Sequence, residues 1–503
     1  MKDKILFWID IEFIYFGIAK HFCQNYDCDA YAIIDVNEKA KTFFQKQKDV
    51  SFKKIWNYLD DVEIKKSLPD KKYLSEFEKK YGINLWNLVY GERSFHKFNE
   101  FYTFTDDEIL NLIEQECRLY EEILNEVKPD FIIIKVTDWH HNQLFYEICK
   151  AKGIRILMTI PTRLGFRTII SERIDRLDLD LKNDNDDLKF NSFTELQKYL
   201  KNYSSFNQAI KFTKEYRKFN SNKLKTSLRF FLNPFNTKYQ KRYSNYKATR
   251  IKIFTKYFNL AIKRFLRERF IEKNFLTTIP ESKFIFFPMH FEPERTLSTD
   301  APFFTNQLEV ITNIAKSLPI DFKLVVKEHP VMKTLGWRNI SYYKKILKLP
   351  NVILLNPSIL PDEIYDKCTL VITITGTAGF EAIIHNKPAI IFADVIYAEI
   401  SSVRKLQSIE ELPQLIKTMK NQKVELNEVV NFVKKISHNS FEFDKNQLST
   451  DFSSMCYYGG FLIDENLSEE KIENFLILHE NSLKNVAFEH IKKIKNLKKI
   501  SKF

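Results

Sequence analysis

The chain has 503 residues, 44% of them apolar and 28% charged, with a formal net charge of +13; its length is about three times the 100–200 residues usual for one domain. These fractions exclude wholesale disorder and a fibrous or low-complexity polymer, and the length excludes a small stapled scaffold. Six scattered cysteines without a CxxC pair point away from a disulfide framework or zinc knuckle and towards the reducing cytoplasm.

The first apolar stretch, Ile5 to Ala19, carries Asp10 and Glu12 in its middle and has no small-residue cleavage site after it. It therefore reads as a strand (Ile5–Ile9) running into a helix near Glu12–Phe22, not as a signal peptide. A second apolar run, Tyr31–Ile34, ends at Asp35. Beyond an aromatic-rich region the periodicity predicts a long helix over Asp107–Val127, a strand Phe131–Ile134, a helix near Asn142–Lys152 and a strand Ile154–Ile160. Strand runs this apolar, separated by helices, predict a parallel sheet covered on both faces. Residues 1–175 are thus expected to form an N-terminal α/β domain on the acceptor side. No apolar run approaches the roughly 18 residues of a spanning helix, so an integral membrane protein is not expected.

Residues 176–280 read as an acidic loop followed by a basic, aromatic helical insertion. Asp178-Leu-Asp180 has the DxD form of metal-dependent transferases but lies in an acid-rich run and not after a strand, so no metal is expected. Between Lys211 and Lys273 there are 19 Lys/Arg and three acids, which leaves the rest of the chain slightly negative. Phe and Tyr are interleaved throughout this segment. Such a mixture suits an anionic membrane surface, where cations meet headgroups and rings sit at headgroup depth. It also describes amphipathic helices bridging two domains. Nucleic acid is the least favoured partner, because no recognisable nucleic-acid module accompanies the segment.

From Lys283 the α/β rhythm restarts. Strands are predicted at Lys283–Phe287, Phe322–Val326, Val352–Leu355, Leu370–Ile374 and Ala389–Phe392, with helices about Thr305–Ser317, Ser341–Leu347, Asp362–Lys367 and from Ala378. Residues 281–455 therefore read as a second doubly wound domain, and 456–503 as C-terminal helices with a basic tail. Two such Rossmann-like domains facing a cleft make the GT-B arrangement, in which ligands bind at the carboxyl ends of strands.

Three consecutive strand ends carry polar clusters. The first holds His290, Glu292, Glu294 and Arg295. The second is Lys327-Glu-His329-Pro330, where proline ends the strand and leaves Lys and His at its carboxyl end. The third, Thr373-Ile-Thr375-Gly376-Thr377-Ala-Gly379-Phe-Glu381, follows a strand and opens a helix, offering backbone N–H groups and hydroxyls to a phosphate. The glycine spacing is neither GxGxxG nor GxxxxGK[ST], so a Rossmann dinucleotide fingerprint and a P-loop are not indicated. In the N-terminal domain Asp10, Asp138, His140 and His141 lie after strands, where a carboxylate or imidazole can take a proton from an acceptor hydroxyl. His140 and His141, being adjacent, are expected to point apart.

The segments Phe286–Thr296, Asn306-Gln-Leu, Val326–Pro330, Asn351-Val, Val371–Ala382 and Lys387-Pro388 resemble the bacterial capsule polysaccharide biosynthesis proteins, related to the Kdo transferases of capsule linkers. The His-Pro element and hydroxyl-rich helix start also resemble bacterial sialyltransferases and teichoic acid glycerophosphotransferases, although Thr-Gly-Thr replaces their paired serines. The resemblance implies a metal-independent GT-B glycosyltransferase at the inner face of the cytoplasmic membrane, with no cofactor. Such an enzyme would use a CMP- or UDP-activated sugar as donor, and a surface polysaccharide or lipid-linked glycan as acceptor. Lys327, His329, Thr375, Gly376 and Thr377 would hold the donor, with Glu381, Glu294 and Arg295 beside them. Asp138, His141, Asp10 and His290 are the catalytic candidates, and residues 205–273 the membrane-facing segment. A sugar-nucleotide epimerase or hydrolase of the same fold, and a non-catalytic scaffold of the capsule assembly, are the rival readings.

Overall fold

The computed structural model describes residues 2–95, 99, 101–174, 189–200, 210, 221–232, 242–457 and 467–500. Asp178–Asp180 and residues 205–209, 211–220 and 233–241 of the basic segment lie outside the described residues.

The first sheet contains β1 (Asp3–Asp10), β2 (Cys28–Asp35), β3 (Lys54–Asn57), β4 (Phe131–Lys135), β5 (Arg155–Pro161) and β6 (Arg167–Ser171). Their order runs β6-β5-β4-β1-β2-β3, parallel from β5 to β3, with β6 antiparallel at the edge. Alternation along β1 sends Ile5, Phe7 and Ile9 to one face and Leu6 and Trp8 to the other. The first set packs on the helix Ile14–Asn25, and the second on the helices Asp106–Val127 and His140–Ala151. The longer of these starts at a reciprocal cap: the Thr105 hydroxyl accepts from Glu108 N at 3.2 Å, and the Glu108 carboxylate accepts from Thr105 N at 3.0 Å.

The second sheet is parallel throughout. Its strands are β7 (Phe284–Pro288), β8 (Lys323–Lys327), β9 (Val352–Leu355), β10 (Leu370–Thr373), β11 (Ala389–Ile391) and β12 (Val403–Lys405), in the order β12-β11-β10-β7-β8-β9. In both sheets the first strand lies beside the fourth, so the strand order reverses at β1/β4 and at β7/β10. Such crevices are where open α/β sheets take ligands. The fold is mixed α/β with two doubly wound sheets, as the strand runs imply.

Residues after 440 return to the first sheet. A short strand β13 (Phe441–Glu442) pairs antiparallel with β6, and Arg167 holds it there by donating to Ser440 Oγ (2.7 Å) and Ser437 O (2.6 Å). The helix Glu480–Ile500 then buries Leu483, Val486, Ile491 and Ile494. Gly17 gives it room on the helix Ile14–Asn25, since a Cβ there would stand 2.6 Å from Leu483 Cδ1. The expected basic tail is thus an integral wall of the N-terminal layer, and residues 441–455, expected in the second domain, belong with the first. Among the described residues no helix is long and apolar enough to cross a membrane.

Candidate functional site

The β7/β10 crevice is built by His290. Its backbone N–H donates to Gln307 Oε1 (2.7 Å), and Gln307 Nε2 returns a bond to His290 O (3.0 Å). Thus fixed, the imidazole joins two strand ends. Nδ1 lies 3.1 Å from Glu294 Oε2, and Nε2 accepts from the Thr375 backbone N–H at 3.3 Å with Thr373 Oγ1 at 3.4 Å. A ring accepting at Nε2 donates at Nδ1, which sets the tautomer. Burial alone would raise the Glu294 carboxyl; its hydrogen bond to His290 outweighs that and holds the group at about 2.

The hydroxyl loop meets this ring closely. A Cβ on Gly376 would fall 2.7 Å from Thr373 Oγ1 and 3.4 Å from His290 Cε1, so only glycine fits. Tyr397 OH donates to Gly376 O. The Thr375 hydroxyl is buried and has no hydrogen-bond partner, which in a crevice marks a place for an acceptor or donor from outside. Thr377 directly precedes the helix Ala378–Ile384, and Glu381 on that helix accepts from Tyr365 OH at 2.8 Å.

Lys327 ends β8 and is 5% exposed. Burial pulls its amine down to about 8 against the opposing pull of Glu381 and Glu363. The Glu381 charge ties this strand end electrostatically to the hydroxyl loop. His329 caps the turn Pro330–Lys333, its Nδ1 accepting from Val331 N at 3.2 Å, with its ring beside Phe291. Burial drops it to about 4, so the ring is neutral at physiological pH.

Beneath these groups runs a buried ionic network that the motif reading missed. Arg338 pairs with Glu328 (2.8 Å) and Glu292 (2.8 Å) and donates to His290 O, while Tyr343 OH donates to Glu328 Oε2 at 2.9 Å. Glu328 and Glu292 stood inside the motifs. Arg338 follows no strand, and only its neighbours Gly336 and Trp337 mark a turn there.

In the first sheet the matching crevice holds an ion cluster. Lys135 at the end of β4 pairs with Asp10 at the end of β1 (2.9 Å) and with Asp138 (2.9 Å). Burial raises the Asp138 carboxyl, but Lys135 and Lys445 bring it down to about 2, helped by Asn142 Nδ2 at 2.8 Å. Glu12, which accepts from Ser449 Oγ at 2.9 Å, is pushed up by burial and by Asp10. The two domains touch here: Arg295, held by Asp300 at 2.8 and 3.0 Å, donates to Thr137 O, while within the first domain Arg93 donates to Asp138 O.

Two adjoining cavities of about 370 and 250 Å³ line this junction, sharing Asn84, Asn87, Gly91 and Ser298. Glu292 and Glu294 face the larger; Asp138 and Trp139 face the smaller.

His141 departs from its expected role. It is fully buried, stacked on Tyr58 (4.7 Å) and Trp8 (5.7 Å), with Nε2 3.2 Å from Asp35 Oδ2, so an acceptor hydroxyl has no route to it. His140 is buried too, each ring nitrogen 2.9 Å from a carboxylate, Glu92 on one side and Glu116 on the other. Burial opposes its charge, yet the two carboxylates raise it to about 9. The adjacent histidines do not diverge as expected: Glu116, His140 and His141 each bring a ligand-type atom within 4.8 Å of the others.

Residues 194–411 match the family model described as capsule polysaccharide biosynthesis protein. No curated protein matches the sequence. Among solved structures the chain is similar to the UDP-GlcNAc 2-epimerase of Methanocaldococcus jannaschii (15% identity, 87% of this chain and 98% of that one, TM-score 0.24) and that of Neisseria meningitidis (15%, 86% and 98%, 0.26). It is also similar to the β-Kdo 2,7 transferase KpsC of Thermosulfurimonas dismutans (10%, 64% and 89%, 0.28). The matched span begins at the helix Phe193–Leu200, which packs on the second sheet, and covers β7 to β12 with all three polar clusters. Through that span, a little under half of its length, the chain is similar to the capsule polysaccharide biosynthesis proteins.

Proposed function

We propose that this protein is a glycosyltransferase of capsule biosynthesis, moving a sugar from a CMP- or UDP-activated donor to a surface polysaccharide or lipid-linked acceptor. The observation that carries this reading is the meeting of His290 with the Thr373–Gly376 loop at the β7/β10 reversal, beside the buried Lys327. The donor phosphate takes the unpaired Thr375 hydroxyl and the Lys327 amine. His329, Gly376, Thr377 and Glu381 complete its surroundings. In the transfer, the bond between the sugar's anomeric carbon and the phosphate oxygen breaks as the acceptor oxygen bonds to that carbon. The phosphate leaves with the electron pair, and Lys327 opposes the charge that develops on it.

The acceptor's proton passes to a carboxylate of the first sheet. Asp138 lines a cavity and is the group we assign, with Asp10 sharing its Lys135. The reading includes a reaction that needs no divalent cation, and a membrane surface approached through residues 205–273 at the inner face of the cytoplasmic membrane.

Calorimetric titration with CMP, CDP and UDP tests the donor site. We expect binding of one of them, weakened at least about tenfold by Lys327→Met, the scale of a lost charge-assisted bond. No binding of any of the three, together with intact glycan production by that variant, leaves a scaffold. Turnover of the nucleotide sugar without any acceptor makes the protein an epimerase or hydrolase.

A further inference from the structure

The helix Arg250–Asn274, of 25 residues, is about 37 Å long at 1.5 Å per residue. Its apolar side chains face the wrong way for a helix that only supports a core. Ile251, Phe254, Phe258, Ile262, Phe265 and Leu266 are all between 46% and 77% exposed, and at about 100° per residue they fall within one arc of roughly 120°.

The opposite stripe is what holds the helix to the body. Ile253 and Ile271 are buried there, and Leu260 lies against Gly336, where a Cβ would come within 2.5 Å of it. Arg264 donates to Thr334 O (2.8 Å), and Arg267 to Gly336 O (2.9 Å) and Trp337 O (2.8 Å). These carbonyls belong to the loop that carries Arg338, the residue bonded to His290 O. Leu228 and Phe231 of the helix Ser221–Leu232 extend the exposed apolar surface, Phe231 meeting Phe254 at 6.3 Å.

Cations border the stripe. Lys252, Lys256 and Lys263 run along one flank, and Arg269 lies over the Phe265 ring at 4.7 Å. A second copy of the same face would bring like charges together, whereas an anionic lipid surface offers both an apolar layer and the opposite charge.

We infer that the helix Arg250–Asn274 is an interfacial helix. It lies flat in the headgroup layer of an anionic bilayer with the Ile251–Leu266 stripe sunk towards the acyl chains, and it carries the β7/β10 crevice at a fixed height above that surface. This deepens the membrane reading proposed above and does not depend on which sugar is moved.

The test is co-flotation of the full chain with vesicles of phosphatidylcholine containing about 30 mol % phosphatidylglycerol, against pure phosphatidylcholine, at low and high salt. The wild type is expected to float only with the anionic vesicles and to be released by salt. The triple variant Phe254→Ser/Phe258→Ser/Phe265→Ser, and separately Lys263→Glu/Arg269→Glu, should each lose binding at least about tenfold while keeping the thermal midpoint. Wild type that stays unbound, or variants that float like it, overturn the inference. So does a dimer that the triple variant dissolves, or binding of a single-stranded oligonucleotide that the triple variant abolishes while flotation stays intact. Nucleotide binding measured without vesicles separates failure of the membrane docking from failure of the glycosyltransferase reading.

Discussion

His290 accepts a hydrogen bond from the Thr375 backbone N–H at 3.3 Å, joining the loop after β7 to the loop after β10. One ring thereby locks both sides of the crevice where the strand order reverses, and its other nitrogen is spoken for by Glu294. The loop conformation and the imidazole are mutually dependent.

Gly376→Ala tests that dependence. The added methyl would press on Thr373 Oγ1 and the His290 ring, and the bond from Tyr397 OH to Gly376 O would have to break for the loop to retreat. We expect a stability loss of about 1–3 kcal/mol, as for overpacking, together with loss of nucleotide binding. Denaturant melts and calorimetry measure the two. A variant that binds nucleotide as the wild type does would show that the loop does not face the ligand.

Lys327 gives a pH signature. Its folded value of about 8 lies below the 10.5 of a free lysine, so between these values the unfolded chain holds a proton that the folded chain has released. Its burial is therefore a stability penalty, full below pH about 8 and relieved as pH climbs towards 10.5. Relative to wild type, Lys327→Met should be most stabilising at neutral pH and lose that advantage in alkali. Nucleotide affinity should run the opposite way in the wild type, falling above pH about 8 as the amine loses its charge; the methionine variant should show a flat profile.

The His140 pair behaves in the reverse sense. Its folded value of about 9 lies above the ordinary 6.5, so the stabilisation is complete below pH 6.5 and is lost as pH rises through about 9. Glu92, held at about 2 by His140 against the upward pull of burial, adds stability that disappears only as pH falls towards that value. His140→Ala leaves two buried carboxylates without their shared cation and should cost about 3–5 kcal/mol. Equilibrium unfolding across pH 6–10 is the measurement, about the span of that titration.

Deleting residues 480–500 removes Leu483 from Gly17 and with it the cover of the helix Ile14–Asn25. The truncated chain should lose cooperative folding of the first sheet and aggregate, whereas a frayed tail would be dispensable; expression and sedimentation decide it.

The parts of this fold legible in the sequence are those whose residues signal locally. Uniformly apolar runs such as Phe131–Ile134 and Leu370–Ile372 announce buried parallel strands, and glycines are rare enough that Gly376 and Gly379 draw the eye to one loop. His290, Glu294 and Thr375 could be singled out because each follows such a run. What escaped depends on pairing at a distance. Nothing near Phe441 says that it will lie beside Thr168, and Arg338 becomes important only once Glu328 and Glu292 are brought to it. Likewise His141 looks available in sequence, and only packing encloses it between Trp8 and Tyr58.

The return of residues 441–500 to the first sheet has a bearing on biosynthesis. The second sheet is contiguous in sequence and is complete well before the ribosome finishes. The first begins to emerge earliest, yet it must wait for the helix Glu480–Ile500 before the face around Gly17 is covered by Leu483. Its unfinished face is greasy and open throughout translation, a period in which chaperone capture competes with aggregation.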